Sequence, residues 1–244
     1  MCLRVDLGEL PMTREELFYN RGRAEWNAET RDFRYAPNGV VIMYTLRHGS
    51  TKLNGDNKFR GWANPELDDK GRQDAEQAGK FLKGKGIKAV YCSDLKRAVE
   101  TAEIVSKAIG LPGEPVPDEQ LRPWDVGDLS GKDKDENDDV LQYHIDHPKV
   151  PLPGGESLQH FSDRSQNVMD EYMEKAKKDG PILLVFHTSN TVQLQNYCKG
   201  SKATGRPESD ECVKPGGVMK VTDYGDKLDA EAVLKDGGKA TYGS

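Results

Sequence analysis

Val40-Val41-Ile42-Met43-Tyr44-Thr45-Leu46-Arg47-His48-Gly49-Ser50-Thr51 is the stretch whose reading decides the fold. Its first half is rich in β-branched and aromatic residues and reads as a buried strand. The chain thus delivers Arg47, His48 and Gly49 together at the carboxyl end of a strand, the edge at which open α/β sheets bind their ligands. An arginine presents a planar fork that matches phosphate oxygens. A histidine acts as nucleophile or proton carrier near neutral pH. A glycine lets the backbone turn sharply beside a ligand.

Outward from this stretch, the same arrangement recurs. Ala89-Val90-Tyr91-Cys92 reads as a second strand, followed by Ser93-Asp94 as a cap. The helix after it repeats Leu95, Ala98, Ala102, Val105 and Ile109 at intervals of three and four, with Arg97 in its first turn. Ile182-Leu183-Leu184-Val185-Phe186 is the strongest strand signal and ends at His187, before a short helix over about 190–197. Asp68-Asp69-Lys70-Gly71 opens a helix with Ala75, Ala78, Phe81 and Leu82 on one face. Glu156-Ser157 caps another, bearing Leu158, Phe161, Val168 and Tyr172. Gly217 to Thr222 and Leu228 to Leu234 read as late strands. The alternation predicts an α/β fold: a three-layer domain with a mostly parallel central sheet flanked by helices.

Three segments are expected. Residues 1–38 form an N-terminal extension, with a capping box at Thr13–Glu16. Its helix begins near Arg14, presents Leu17, Phe18 and Trp26, and is weakened by Gly22. Residues 39–235 form the main domain, in which 111–153 is largely loop, with 133–139 a solvated charged surface. Residues 236–244 form a frayed tail.

The 244 residues carry a formal net charge of −6, which argues against a nucleic-acid partner held by a general basic surface. No run approaches 18 apolar residues, so no membrane partner is expected. The scattered Cys2, Cys92, Cys198 and Cys212 and the lack of a secretory signal suit a reducing, cytoplasmic setting. His144 and His147 have a spacing seen in metal sites, but no third ligand accompanies them.

If the three strands are parallel neighbours, Arg47, His48, Arg97 and His187 meet at one spot, beside a helix N-terminus that favours an anion. Two guanidinium forks hold phosphoryl oxygens, one imidazole attacks phosphorus, and the other stabilises the equatorial oxygens.

The ordered set Leu46-Arg47-His48-Gly49-Ser50-Thr51 with Asn54, Phe59-Arg60-Gly61-Trp62, Leu67 to Gly71 with Gln73-Asp74-Ala75, Ser93 to Ala98 with Thr101-Ala102, Gly154 to Ser157 and Val185-Phe186-His187 resembles the histidine phosphatase superfamily. That superfamily is also called phosphoglycerate mutase-like. The resemblance covers roughly residues 40–222. It implies that His48 is the nucleophile and becomes phosphohistidine, and that Arg47, Arg97 and His187 complete the phosphate pocket. Thr51 and Asn54 would lie at its rim, with Arg60, Gly61 and Thr188 binding substrate, and no metal or organic cofactor is implied.

Two departures stand out. Where the family has Leu-x-Glu, this chain has Leu121-Arg122-Pro123. Asp125 is then the nearest carboxyl and the expected general acid; its alternative role is a turn residue capping the local backbone. Thr188 replaces the glycine usual after the second histidine, giving a tighter wall or an added hydroxyl. Trp62 and Trp124 wall the pocket or pack in the core.

No Arg-Arg pair and no Glu-Arg-His-Tyr-Gly run of the mutase branch occurs, although Lys134 resembles a mutase substrate lysine. The expectation is a phosphatase acting on a small phosphorylated metabolite. The alternatives are mutase-type transfer and a catalytically weak phospho-ligand-binding module. A homodimer is compatible with this reading.

Overall fold

The computed structural model describes residues 24–27, 32–35, 39–201, 213–236 and 239–240. The first two segments are strands β1 (Ala24–Asn27) and β2 (Asp32–Tyr35), which pair in a small antiparallel sheet of their own. The other strands are β3 (Val40–Arg47), β4 (Ala89–Ser93), β5 (Val116–Asp118), β6 (Ile182–Phe186), β7 (Val218–Asp223), β8 (Leu228–Asp236) and β9 (Lys239–Ala240). They form one sheet in the order β5-β4-β6-β3-β7-β8-β9. The pairings from β5 through β4 and β6 to β3 are parallel. Those from β3 through β7 and β8 to β9 are antiparallel. The sheet is mixed, with β7 and β9 running against the other strands.

The helices are α1 (Lys52–Gly55), α2 (Asp69–Leu82), α3 (Lys96–Ile109), α4 (Asp138–Asp146), α5 (Leu158–Asp179) and α6 (Thr188–Lys199). The parallel half of the sheet is covered on both faces, as βαβ crossovers require. Every residue of β6 is buried. Its side chains alternate: Leu183 and Val185 meet α2 and α3, while Ile182, Leu184 and Phe186 meet α5 and α6. Small residues let α2 and α3 approach closely. A Cβ on Gly79 of α2 would stand 2.5 Å from the Ala108 Cβ of α3. A third apolar cluster, with Phe59, Trp124, Val126, Leu129 and Phe161, lies among the connections and the first turn of α5.

Several local expectations change. Trp26 lies in β1 and pairs with Phe33 of β2. Aromatic residues at alternate positions, Phe33 and Tyr35, favour a strand over the expected helix. The capping box at Thr13 and the positions Arg14, Leu17, Phe18 and Gly22 lie outside the described residues. The last strands run past the expected end of the domain, since Asp236 closes β8 and pairs with Lys239 of β9. Region 111–153 holds β5, two 3₁₀ turns and α4 rather than loop alone.

Candidate active site

The register of the sheet brings the two histidines together. Arg47 of β3 pairs with Phe186 of β6, so His48 and His187 follow at the same level. The His48 amide continues the ladder by donating to Phe186 O at 3.0 Å. The two rings lie 5.0 Å apart, centre to centre.

The turn after His48 is held against two helices. Gly49 N donates to Thr101 Oγ1 of α3, and Ser50 Oγ donates to Asp68, the residue that caps α2. A Cβ on Gly49 would fall 2.2 Å from Gly71 O, so only glycine permits this approach.

His48 Nδ1 lies 2.7 Å from Gly49 O. A carbonyl only accepts, so Nδ1 carries the proton and Nε2 keeps its lone pair. Burial, reinforced by Arg97, Arg60 and Arg47, pushes the His48 imidazole well below the usual histidine range. His187 is lowered in the same way, by burial first and then by Arg97. Both rings are therefore neutral at neutral pH.

Arg97 enters from the first turn of α3, where Nη1 donates to Ala63 O and Nη2 to Gly61 O. Burial, with Arg60 beside it, lowers Arg97 to about 9, still protonated at neutral pH. Arg60 Nη1, Arg97 Nε and both ring nitrogens of His187 are buried without a hydrogen-bond partner among the described residues. Buried polar groups are normally paired, so this concentration marks a place that receives acceptor oxygens. The α6 N-terminus, at Thr188 and Ser189, adds its dipole.

These groups line a cavity of about 220 Å³. Its lining also includes the apolar Phe59, Pro123, Trp124, Val126, Leu141 and Val192, together with Lys58 and Lys134. An isolated antiparallel β-bridge between the backbones of Lys58 and Asp133 brings the segments of the two lysines together. Burial, then Arg60 and Arg47, lowers the Lys134 ammonium from its ordinary value.

The structure gathers His48, Arg97, His187, Arg60, Gly61 and Thr188 around this cavity. Arg47 is not among its lining residues. Its Nη1 donates to Val213 O, and its charge acts on both histidines. Thr51 and Asn54 do not line it either, because they hydrogen-bond to each other and cap α1. Asp125 also lies off the cavity: its Oδ1 accepts from Gly127 N, the turn-capping role, while Trp124 and Val126 on either side face inward. The α3 N-cap is Leu95 rather than Ser93 or Asp94, since Asp94 is drawn into an ion pair with Arg122. His144 and His147 are committed through Nδ1 to Val150 O and Tyr143 O.

A clamp behind Pro123 was not foreseen from the sequence. Arg164 of α5 donates to Gln120 O, Arg122 O and Pro123 O and pairs with Glu156 at 2.6 Å. Glu156 in turn accepts from Asp125 N. Local periodicity carries no signal for a contact between an arginine and carbonyls so distant in sequence. A larger hollow of about 500 Å³ lies on that side, but its Arg122, Glu156 and Arg164 are engaged in ion pairs and its His160 Nδ1 in a hydrogen bond with Glu156.

A parallel-sheet edge that gathers two neutral histidines and buried guanidinium groups defines a pocket for a compact anion. Residues 43–207 match the model of the histidine phosphatase superfamily (branch 1), and the chain belongs to that superfamily. A 2,3-bisphosphoglycerate-dependent phosphoglycerate mutase of Parvibaculum lavamentivorans is 33% identical over 202 residues, spanning 75% of this chain and 95% of that protein. The structure of phosphoglycerate mutase from Bacillus anthracis aligns with a TM-score of 0.66 at 26% identity, covering 80% of this chain and 93% of that one. A mycobacterial glucosyl-3-phosphoglycerate phosphatase, solved with VO3, aligns with a TM-score of 0.62 at 22% identity over 78% and 96%, a likeness of fold alone. Among the described residues, no helix is long and apolar enough to cross a membrane.

Proposed function

We propose that the protein is a phosphomonoesterase that works through a phosphohistidine at His48, on a small phosphorylated metabolite. The observation that carries this reading is the His48 ring: Nδ1 is fixed on Gly49 O, and the imidazole is held neutral beside buried cations. Nε2 attacks phosphorus, Arg97, Arg60 and His187 receive the phosphoryl oxygens, and water then releases phosphate. This is catalysis by positioning and electrostatic stabilisation.

A mutase reading is favoured by the relative from Parvibaculum and by Lys58 and Lys134 at the rim, which offer charge for a second anionic group. The apolar wall favours hydrolysis, since Phe59, Trp124 and Val126 offer such a group no partner.

The test is phosphate release from 4-nitrophenyl phosphate by wild type and His48→Ala, with trapping of an acid-labile, alkali-stable phosphoenzyme. Equal release by the two proteins would refute the enzyme reading. Interconversion of 2- and 3-phosphoglycerate faster than their hydrolysis would establish the mutase instead.

A further inference from the structure

Cleaving an alkyl phosphate expels an alkoxide unless an acid within hydrogen-bond reach protonates it. The described residues lining the cavity include no aspartate or glutamate. Pro123 stands where the resemblance places the acid, and Asp125 accepts from Gly127 N. Glu156 is engaged behind the wall, with Oε1 on Asp125 N and Arg164 and Oε2 on His160. What the wall supplies is apolar surface and, at its rim, Lys58 and Lys134.

Resting on the phosphatase reading above, we infer that the site takes a small aryl phosphate, whose phenolic leaving group departs without a proton from any carboxyl of the described residues. A phenol ionises near pH 10, whereas water holds its proton to about 15.7. The ring packs against Phe59, Trp124 and Leu141, and the lysine ammonium groups stabilise the departing oxygen electrostatically. At about 220 Å³ the cavity is smaller than the roughly 300 Å³ at which sites for drug-sized ligands begin.

His48 Nε2 forms its bond to phosphorus as the bond from phosphorus to the aryl oxygen breaks, and the electron pair goes to that oxygen. Water then attacks phosphorus, and the P–N pair returns to the ring. The proton shed by the water goes to the aryloxide. The sum is ester plus water giving a phenol and inorganic phosphate.

The experiment compares kcat/KM for phenyl, 4-nitrophenyl and 2-naphthyl phosphates, glycerol 3-phosphate and acetyl phosphate. Wild type should favour the aryl esters over glycerol 3-phosphate by about 10²–10⁴-fold, the share a general acid supplies. Pro123→Glu should narrow that gap by raising turnover of glycerol 3-phosphate. Acetyl phosphate, a good leaving group with no ring, should show a higher KM than 2-naphthyl phosphate, and Leu141→Ala should raise KM for the naphthyl ester more than for acetyl phosphate. Comparable kcat/KM for glycerol 3-phosphate and phenyl phosphate in wild type would overturn the inference, as would a lower KM for acetyl than for naphthyl phosphate. If no compound releases more phosphate than with His48→Ala, the phosphatase reading itself fails.

Discussion

Two sets of residues line the cavity: in the first, His48 follows β3, His187 follows β6 and Arg97 stands in the first turn of the helix after β4, with Arg60 joining them from the connection before α2. The second set comes mainly from connections, with Lys58 and Phe59 on one, Pro123, Trp124 and Val126 on another and Lys134 on a third, joined by Leu141 of α4 and Val192 of α6. The histidines of the first set are positioned by the hydrogen-bond ladder between β3 and β6. In the second, the connection of Pro123 and Trp124 is held by side chains that grip its backbone, Arg164 and Glu156. Chemistry common to a superfamily can sit on the first, while the second is free to differ between members.

The largest effect separates the two sets by removing the proposed nucleophile. His48→Ala should lower phosphate release on the order of 10⁴-fold or more for every leaving group, measured with 4-nitrophenyl and phenyl phosphates. A loss confined to one of them would break the comparison. His187→Asn should cost about 10²–10³-fold in kcat, the scale of a lost oxyanion donor, again on both esters.

Arg164→Met tests the second set. The Arg164–Glu156 pair is largely buried, with side chains 9% and 11% exposed. Breaking such a pair costs about 3–5 kcal/mol of stability, read from denaturant unfolding. Because the clamp holds the wall rather than the nucleophile, KM for an aryl phosphate should rise more than kcat falls.

The smallest effect concerns pH. His48 and His187 are held below the unfolded value near 6.5. The unfolded chain therefore binds more protons as pH falls below about 6.5, and the folded state loses stability over that range. The denaturant midpoint should drop between pH 7.5 and pH 5, and His187→Asn should show a smaller drop.

The same division explains what the sequence disclosed. The five apolar residues before His187 and the β-branched run before Arg47 have a single physical outcome, buried central strands, and their ends place the histidines. Asp125 was harder to read because its position is set by the turn at Gly127 and the contact with Glu156, not by periodicity. Thr51 and Asn54 follow the same rule, since a short-range hydrogen bond between them outweighs the pull of the site. Trp26 shows that an aromatic residue reads equally well on a helix or a strand until its partner, Phe33, is known.

The place of β3 in the sheet has a consequence for how the protein comes into being. β3 lies between β6 and β7, both drawn from the last third of the chain. During synthesis its apolar run emerges long before either neighbour, and non-local pairings of this kind form slowly. Until they form, an unpaired hydrophobic strand is the segment most exposed to self-association. The strand that leads into His48 is thus among the last to find its neighbours.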